Sequence, residues 1–142
     1  QEEFEKSELV DDRFITGITG KKDFTIISLS KRGMSNQVGV LRKVLTVLER
    51  HGISVDYVPN GIDNVSLVIP TAKIAPHLYA VLADLQQDIA PDNITVQDQI
   101  SIVTAVGHQM AFRPGVSGRI FAALGQADIN IKFIHPICLP FD

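Results

Sequence analysis

The sequence predicts an α+β protein in which antiparallel strands carry helices on one face. The first observation is size, because 142 residues lie within the ~100–200 residues typical of one domain. The second is composition, since 45% hydrophobic and 20% charged residues indicate a globular chain and exclude collagen and coiled coil. The third is an apolar pattern that switches repeatedly between short β-rich runs and the spacing of an amphipathic helix.

That pattern occurs twice. Residues 24–55 align with residues 100–131 at a constant offset of 76 positions and without a gap. Gly39-Val40 falls on Gly115-Val116, and Ile53-Ser54-Val55 falls on Ile129-Asn130-Ile131. A gap-free match of this length indicates two copies of one structural unit.

The first copy is predicted to be a β-α-β-β-α-β unit. Its predicted strands are residues 24–29, 53–58, 65–69 and 94–96, and its helices begin near residue 40 and at residue 75. The predicted core stripes are Val40, Val44, Val47 and Leu48 in the first helix and Leu78, Leu82 and Leu85 in the second. Gly52 is the expected C-terminal glycine of the first helix, and Pro76 the expected first-turn proline of the second. Antiparallel pairing with both helices on one face is the ferredoxin-like arrangement.

The second copy is predicted to hold a strand at residues 100–105, a helix from Val116 and a strand at residues 129–134. Pro136 and Pro140 then interrupt the pattern, and the sequence ends at Asp142. The second unit is therefore expected to be incomplete.

The net charge and the absence of several motifs exclude some classes of function. A net charge of −3 argues against binding to nucleic acid. The apolar runs are shorter than the ~18 residues of a membrane helix, and the acidic N-terminus does not resemble a signal peptide. The single Cys138 fits a reducing compartment, so a cytoplasmic protein without membrane contact is expected. His135-x-x-Cys138 offers only two metal ligands, so no metal site is predicted. We find no phosphate-binding loop and no catalytic dyad or triad.

A candidate binding site lies where the loop after the first strand meets the first helix. Free backbone N–H groups at a helix N-terminus receive a carboxylate, and Gly39 permits close approach of the backbone. Asp56 is a candidate partner for an ammonium group, and Asn60 and Gly61 are candidate polar contacts. These features together suit a free amino acid.

The sequence resembles the ACT domains in the C-terminal regulatory region of aspartate kinases, especially the lysine-sensitive branch. The resemblance covers about residues 14–134. The motifs that carry it are Ile15-Thr16-Gly17-Ile18-Thr19, Asn36-Gln37-Val38-Gly39-Val40, His51-Gly52-Ile53-Ser54-Val55-Asp56, Gly61-Ile62-Asp63-Asn64-Val65-Ser66 and Ala127-Asp128-Ile129-Asn130-Ile131.

The resemblance implies tandem ACT units. Residues 1–13 would be a linker or tail, residues 14–99 the first unit, and residues 100–142 a truncated second unit. In the family's nested arrangement, the strand at residues 15–19 belongs to the second unit. The kinase domain, which phosphorylates aspartate with ATP and Mg²⁺, would lie outside this sequence, so no cofactor and no catalytic residue are expected within it.

The resemblance also implies that the ACT units bind an end-product amino acid, lysine or possibly threonine, and pair in a homodimer. The expected effector-binding residues are Met34, Gln37, Val38, Gly39, Val40, Leu41, Ser54, Val55, Asp56, Asn60 and Gly61. An alternative is a free-standing ACT protein that acts by binding a protein partner. A small enzyme of the acylphosphatase type is a third reading, but the repeat lacks the required Arg and Asn around a phosphate loop.

Overall fold

The computed structural model describes residues 15–107, 116–129 and 131. The chain divides into two compact units, one comprising Lys21–Ile102 and the other Gln1–Gly20 together with Val103–Asp142. The strands are β1 (Ile15–Ser30), β2 (Asn64–Pro70) and β3 (Asn93–Gly107). The α-helices are α1 (Val40–Arg50), α2 (Thr71–Ile74), α3 (Leu78–Asp88) and α4 (Val116–Gln126), and 3-10 turns occupy Met34–Asn36 and Ala75–His77.

The strands form an antiparallel sheet in the order β2-β1-β3. The β1–β2 register runs from Phe24 opposite Pro70 to Ser30 opposite Asn64. β3 begins beside the end of β1, because the Asp92 N–H donates a hydrogen bond to the Ser30 carbonyl at 2.8 Å. The two strands therefore run in opposite directions, and the predicted α+β class with an ACT-type sheet is confirmed.

The central strand β1 and the outer strand β3 are longer than predicted. The predicted strands at residues 15–19 and 24–29 are parts of the single strand β1, and those at residues 94–96 and 100–105 are parts of β3. Each long strand contains one residue with left-handed backbone geometry, Asp23 (φ 66°) in β1 and Gln99 (φ 59°) in β3.

The prediction of a strand at residues 53–58 is wrong. The structure has two isolated bridges here, Tyr57 with Val68 and Asn60 with Val65. Over the described residues the sheet therefore has three strands and not four. Pro59 supplies a physical reason: its carbonyl accepts from the Ser66 N–H at 2.8 Å, but proline has no N–H with which to return the bond. The segment still runs antiparallel to β2, as the predicted hairpin requires.

The main core lies between the sheet and the helices. All four residues of the predicted α1 stripe are buried, which confirms that helix and its orientation. The second predicted helix begins at Leu78 and not at Ala75, because Pro76 lies in a preceding 3-10 turn. Its fully buried residues are Val81 and Leu85, while Leu78 and Leu82 are only partly buried. A smaller cluster contains Phe24, Ile26 and Val68, packed with Tyr57, Ile100 and Ile102.

The predicted repeat is visible in the second copy. Helix α4 (Val116–Gln126) has the length and the position of α1 moved by the same offset as the sequence repeat. The predicted tail at residues 1–13, the His135-x-x-Cys138 motif and most of the predicted strand at residues 129–134 lie outside the described residues.

Candidate functional site

The loop between β1 and α1, residues 31–39, has its ends shaped by two glycines. Gly33 (φ 76°) precedes the 3-10 turn Met34–Asn36, and Gly39 (φ 84°) precedes α1. Both have positive φ, which glycine adopts without steric cost. Met34 is buried in the main core and anchors the middle of the loop.

The N-terminus of α1 has no side-chain cap. The Lys43 N–H donates to the Gly39 carbonyl at 3.0 Å, which makes Gly39 the first acceptor of the helix. The N–H groups before Lys43 in the first turn have no acceptor within the helix. They therefore present donors and the positive end of the helix dipole to any anion placed there.

A pocket of about 200 Å³ lies at this helix start. Its lining combines the loop, the first turn of α1 and the turn before β2, and we call it the loop–helix pocket. The lining residues are Met34, Ser35, Gln37, Gly39, Val40, Leu41, Asn60, Gly61, Ile62 and Val65. None has an ionisable side chain, so the pocket offers backbone N–H groups, one hydroxyl and two carboxamides on an apolar floor.

Most of the predicted binding residues meet in this pocket. Those present in the lining are Met34, Gln37, Gly39, Val40, Leu41, Asn60 and Gly61. Ser35, Ile62 and Val65 also line the pocket and were missed. Ser35 lies between two predicted residues, so proximity alone was a usable signal. Ile62 is an apolar residue in a turn-rich segment and is 77% exposed, but single exposed apolar residues are normal, so its only usable signal was its place next to Gly61.

The other predicted residues lie away from the lining. Val38 is 98% exposed beside the helix start, and Val55 packs against the main core. Ser54 and Asp56 are exposed. The Asp56 N–H donates to the Val68 carbonyl at 3.2 Å, and within the described residues its carboxylate has no partner. A binding role for each of the predicted residues stays a prediction.

The far wall of the pocket is a tight turn before β2. The Gly61 N–H donates to the Asn64 carbonyl at 2.9 Å. A Cβ atom at Gly61 would lie 2.9 Å from the Asn64 side-chain oxygen, so glycine permits this close approach. The Lys31 N–H donates to the Asp63 carbonyl at 3.0 Å, which joins the loop to this turn.

A second groove, of about 270 Å³, contains none of the predicted residues. It is lined by Arg42, Lys43, Thr46, Arg50 and Asp88. Among the residues the structure describes, no group of three His, Cys, Asp or Glu side chains is arranged to hold a metal ion. In the same part of the chain, no helix has the length and apolar character needed to cross a membrane.

Comparison with known proteins agrees with this architecture. A family model described as "ACT domain" matches residues 103–135. Aspartokinase 3 of Bacillus subtilis is 29% identical over 122 residues, which is 85% of this chain and 27% of that protein. The chain spans about a quarter of the length of the curated relatives it matches.

Solved structures give the same result. Clostridium acetobutylicum aspartate kinase superposes with a TM-score of 0.81 at 37% identity, over 86% of this chain and 28% of that one. The regulatory subunit of aspartate kinase from Thermus thermophilus, in a ligand-free form, superposes with a TM-score of 0.71 at 25% identity, over 87% of this chain and 81% of that one.

The fold and these matches define a protein with the ACT-domain fold. Over most of its length its homologues are aspartokinases, and its structural neighbours are the regulatory domains of aspartate kinases. The resemblance to the regulatory region of aspartate kinases is therefore confirmed, and the assignment to the lysine-sensitive branch stays a prediction.

Proposed function

We propose that this chain senses a free amino acid, lysine in the first place and threonine in the second, for feedback inhibition of an aspartate kinase. The observation that carries the proposal is the loop–helix pocket, where the uncapped N-terminus of α1 meets an uncharged lining with three polar side chains. The relatives are aspartokinases, which catalyse the first step toward lysine and threonine. Effector binding would then regulate a kinase domain outside this sequence.

The α-carboxylate of the effector would lie at the start of α1. Gly39 has no Cβ atom to obstruct it, and the first-turn N–H groups and the helix dipole favour a negative charge. The side-chain amides of Gln37 and Asn60, on opposite walls of the pocket, would supply further hydrogen bonds.

The ammonium partner would be Asp56. No acidic side chain lines the pocket, and Asp56 is an exposed carboxylate on the segment that leads to Asn60. Lysine is favoured over threonine because it has a second ammonium group for such an acid and because the motifs resemble the lysine-sensitive branch.

The test is calorimetric titration of the chain with lysine and with threonine, repeated on Asp56→Ala. Loss of a charge-assisted hydrogen bond costs about 1.5–3 kcal/mol, so lysine affinity should fall about ten- to a hundredfold. Asp63→Ala is the matched control, because it removes the same charge from the neighbouring turn. Unchanged lysine affinity in a folded Asp56→Ala variant would contradict the role of Asp56.

We also propose that two chains pair through their ACT units as a homodimer with effector bound at or near the interface. Exposed strand edges favour pairing, and a two-fold dimer is the commonest closed assembly. Lysine should then stabilise the dimer, because a ligand that contacts both chains binds the associated form preferentially. Sedimentation velocity with and without lysine checks this, and a monomer at high micromolar protein and saturating lysine would rule it out.

A further inference from the structure

Two side chains that do not line the loop–helix pocket fix the start of the loop to the rest of the structure. These are Lys31, which follows the end of β1, and Asp92, which precedes β3. The Asp92 carboxylate contacts the backbone of Arg32 at the start of the loop, and the Lys31 side chain contacts the backbone at the end of α3. Both are therefore placed to set the position of the residues that follow.

Lys31 attaches the loop to the end of α3. Its Nζ donates a hydrogen bond to the Ile89 carbonyl at 2.6 Å, and Ile89 is the C-terminal cap of that helix. A cation at a helix C-terminus satisfies an otherwise free carbonyl and interacts favourably with the helix dipole. The Ile89 side chain is buried in the main core, so the anchor point is itself fixed.

Asp92 attaches the residues on either side of Lys31. Its carboxylate accepts a hydrogen bond from the Arg32 N–H at 2.8 Å. Its own N–H donates to the Ser30 carbonyl at 2.8 Å. Asp92 therefore binds the backbone immediately before and after Lys31, and it fixes the direction in which the loop leaves β1.

From this origin a short chain of hydrogen bonds leads to the pocket. The Met34 N–H donates to the Lys31 carbonyl, and the Gln37 N–H donates to the Met34 carbonyl, both at 3.1 Å. Met34 and Gln37 both line the pocket. A shift of Lys31 or Arg32 would therefore be passed along these bonds to the lining.

We propose that Lys31 and Asp92 are positioning residues of the loop–helix pocket, which set its affinity by fixing the start of the loop to the end of α3. The effect on amino-acid binding rests on the function proposed above. Asp92 is exposed, so loss of its carboxylate leaves the Arg32 N–H to water and costs little global stability, while the loop gains freedom that binding must then remove.

The experiment compares Asp92→Ala, Asp92→Asn and the control Glu49→Ala. Glu49 is an exposed acid on α1, so its loss changes net charge equally without touching the loop. Two quantities are measured: lysine affinity by calorimetry, and amide hydrogen exchange at Asn36 and Gln37. Asp92→Ala should lower affinity about three- to tenfold, the range expected for one hydrogen bond, and should speed exchange at both amides.

Rescue separates positioning from a general structural effect. The amide oxygen of Asp92→Asn can still accept from Arg32, so affinity and exchange should return most of the way to the wild-type values. Lys31→Met should reproduce the loss, and Lys31→Arg, which keeps a donor and the charge, should reproduce it less. Glu49→Ala should match the wild type in both measurements.

Wild-type affinity in both Asp92→Ala and Lys31→Met would overturn the inference. Failure of the wild-type chain to bind any amino acid would instead overturn the proposed function. In that case amide exchange decides the present point: faster exchange at Asn36 and Gln37 in Asp92→Ala but not in Glu49→Ala supports positioning, and equal exchange overturns it.

Discussion

Helices α1 and α4 are the same element of two sequence copies, and they differ in what covers them. The copies share helix length, relative position and the geometry that ends the helix. They differ in burial, because α1 lies in a core and the described side chains of α4 are at most half-buried. Among the described residues, the two helices therefore share their local structure but not their burial.

The shared ending is a Schellman motif, in which the two residues after the cap bond back into the last turn. After α1, the Gly52 N–H donates to the Glu49 carbonyl at 2.9 Å and the Ile53 N–H to the Leu48 carbonyl at 2.9 Å. After α4, Asp128 and Ile129 make the corresponding bonds at 3.0 and 2.9 Å. The residue with positive φ is Gly52 (71°) in the first copy and Asp128 (59°) in the second.

The difference in burial follows from the neighbours of each helix. α1 packs against α3 and buries four side chains. The described part of the second copy contains no equivalent of α3, and its apolar residues Ile120, Phe121 and Leu124 are half-buried. A Schellman motif is therefore a property of the local sequence, whereas a core requires a partner helix.

The largest effect is expected from one leucine at the same place in each copy. Leu48 is 1% exposed, so Leu48→Ala should lower the free energy of unfolding by about 2–5 kcal/mol. Leu124→Ala removes the same atoms from a half-buried position and should cost less than about 2 kcal/mol. Urea denaturation of both variants measures this, and equal losses would show that the copies are packed alike.

Next comes the glycine at the start of each helix. Gly39 has φ 84°, so Gly39→Val places a β-branched residue in a disfavoured conformation, at a cost of about 1–3 kcal/mol. The side chain also obstructs the proposed carboxylate position, so lysine binding should be lost, whereas the chain should still fold, with a melting temperature lowered by about 3–10 °C. Gly115→Val is the matched variant in the second copy, and its lysine affinity should equal that of wild type. Equal lysine binding in wild type and Gly39→Val would place the effector site elsewhere.

The sequence was most informative where local chemistry decides the structure. Helical spacing located the buried face of α1, and Gly52 marked its end. The missing strand at residues 53–58 required knowing that Pro59 would face β2, which is a matter of pairing register. Most of the pocket lining could be predicted because both walls are loops with turn-forming residues, Gly39 in one and Asn60-Gly61 in the other. The separation of Asp56 from the lining depends on tertiary placement, which residue spacing does not encode.

Smaller effects on stability, with opposite signs in the two copies, are expected from substitutions at the C-terminal ends of the two helices. A Cβ atom at Gly52 would meet nothing within 4 Å, so the cost of Gly52→Ala comes from backbone geometry alone and should be about 1 kcal/mol. Asp128→Gly should stabilise the protein, because glycine adopts positive φ without steric cost. The gain should be less than about 1 kcal/mol, because aspartate tolerates the left-handed region better than alanine does. Thermal unfolding of both variants checks the signs, and destabilisation by Asp128→Gly would contradict the shared motif.

The smallest effect concerns an ion-pair cluster in the first copy that has no counterpart among the described residues of the second. Asp84 on α3 lies 2.7 Å from the His51 Nε2 atom and 3.5 Å from Arg50, which also pairs with Asp88 at 3.3 Å. The aligned positions in the second copy are Gln126 and Ala127. Asp84→Asn should cost about 0.5–1 kcal/mol, since these groups are partly exposed. The cost should shrink in high salt, and a salt-independent loss would point to packing instead.

The central claim is that the first copy binds an amino acid between the β1–α1 loop and the turn before β2. The most direct measurement is a lysine titration followed through the backbone amide resonances of the labelled chain. We predict saturable shifts at Gln37, Gly39, Val40, Leu41, Asn60 and Gly61, with the aligned helix start near Val116 unaffected. Shifts confined to other residues, or no saturable shift with lysine or threonine, would contradict the claim.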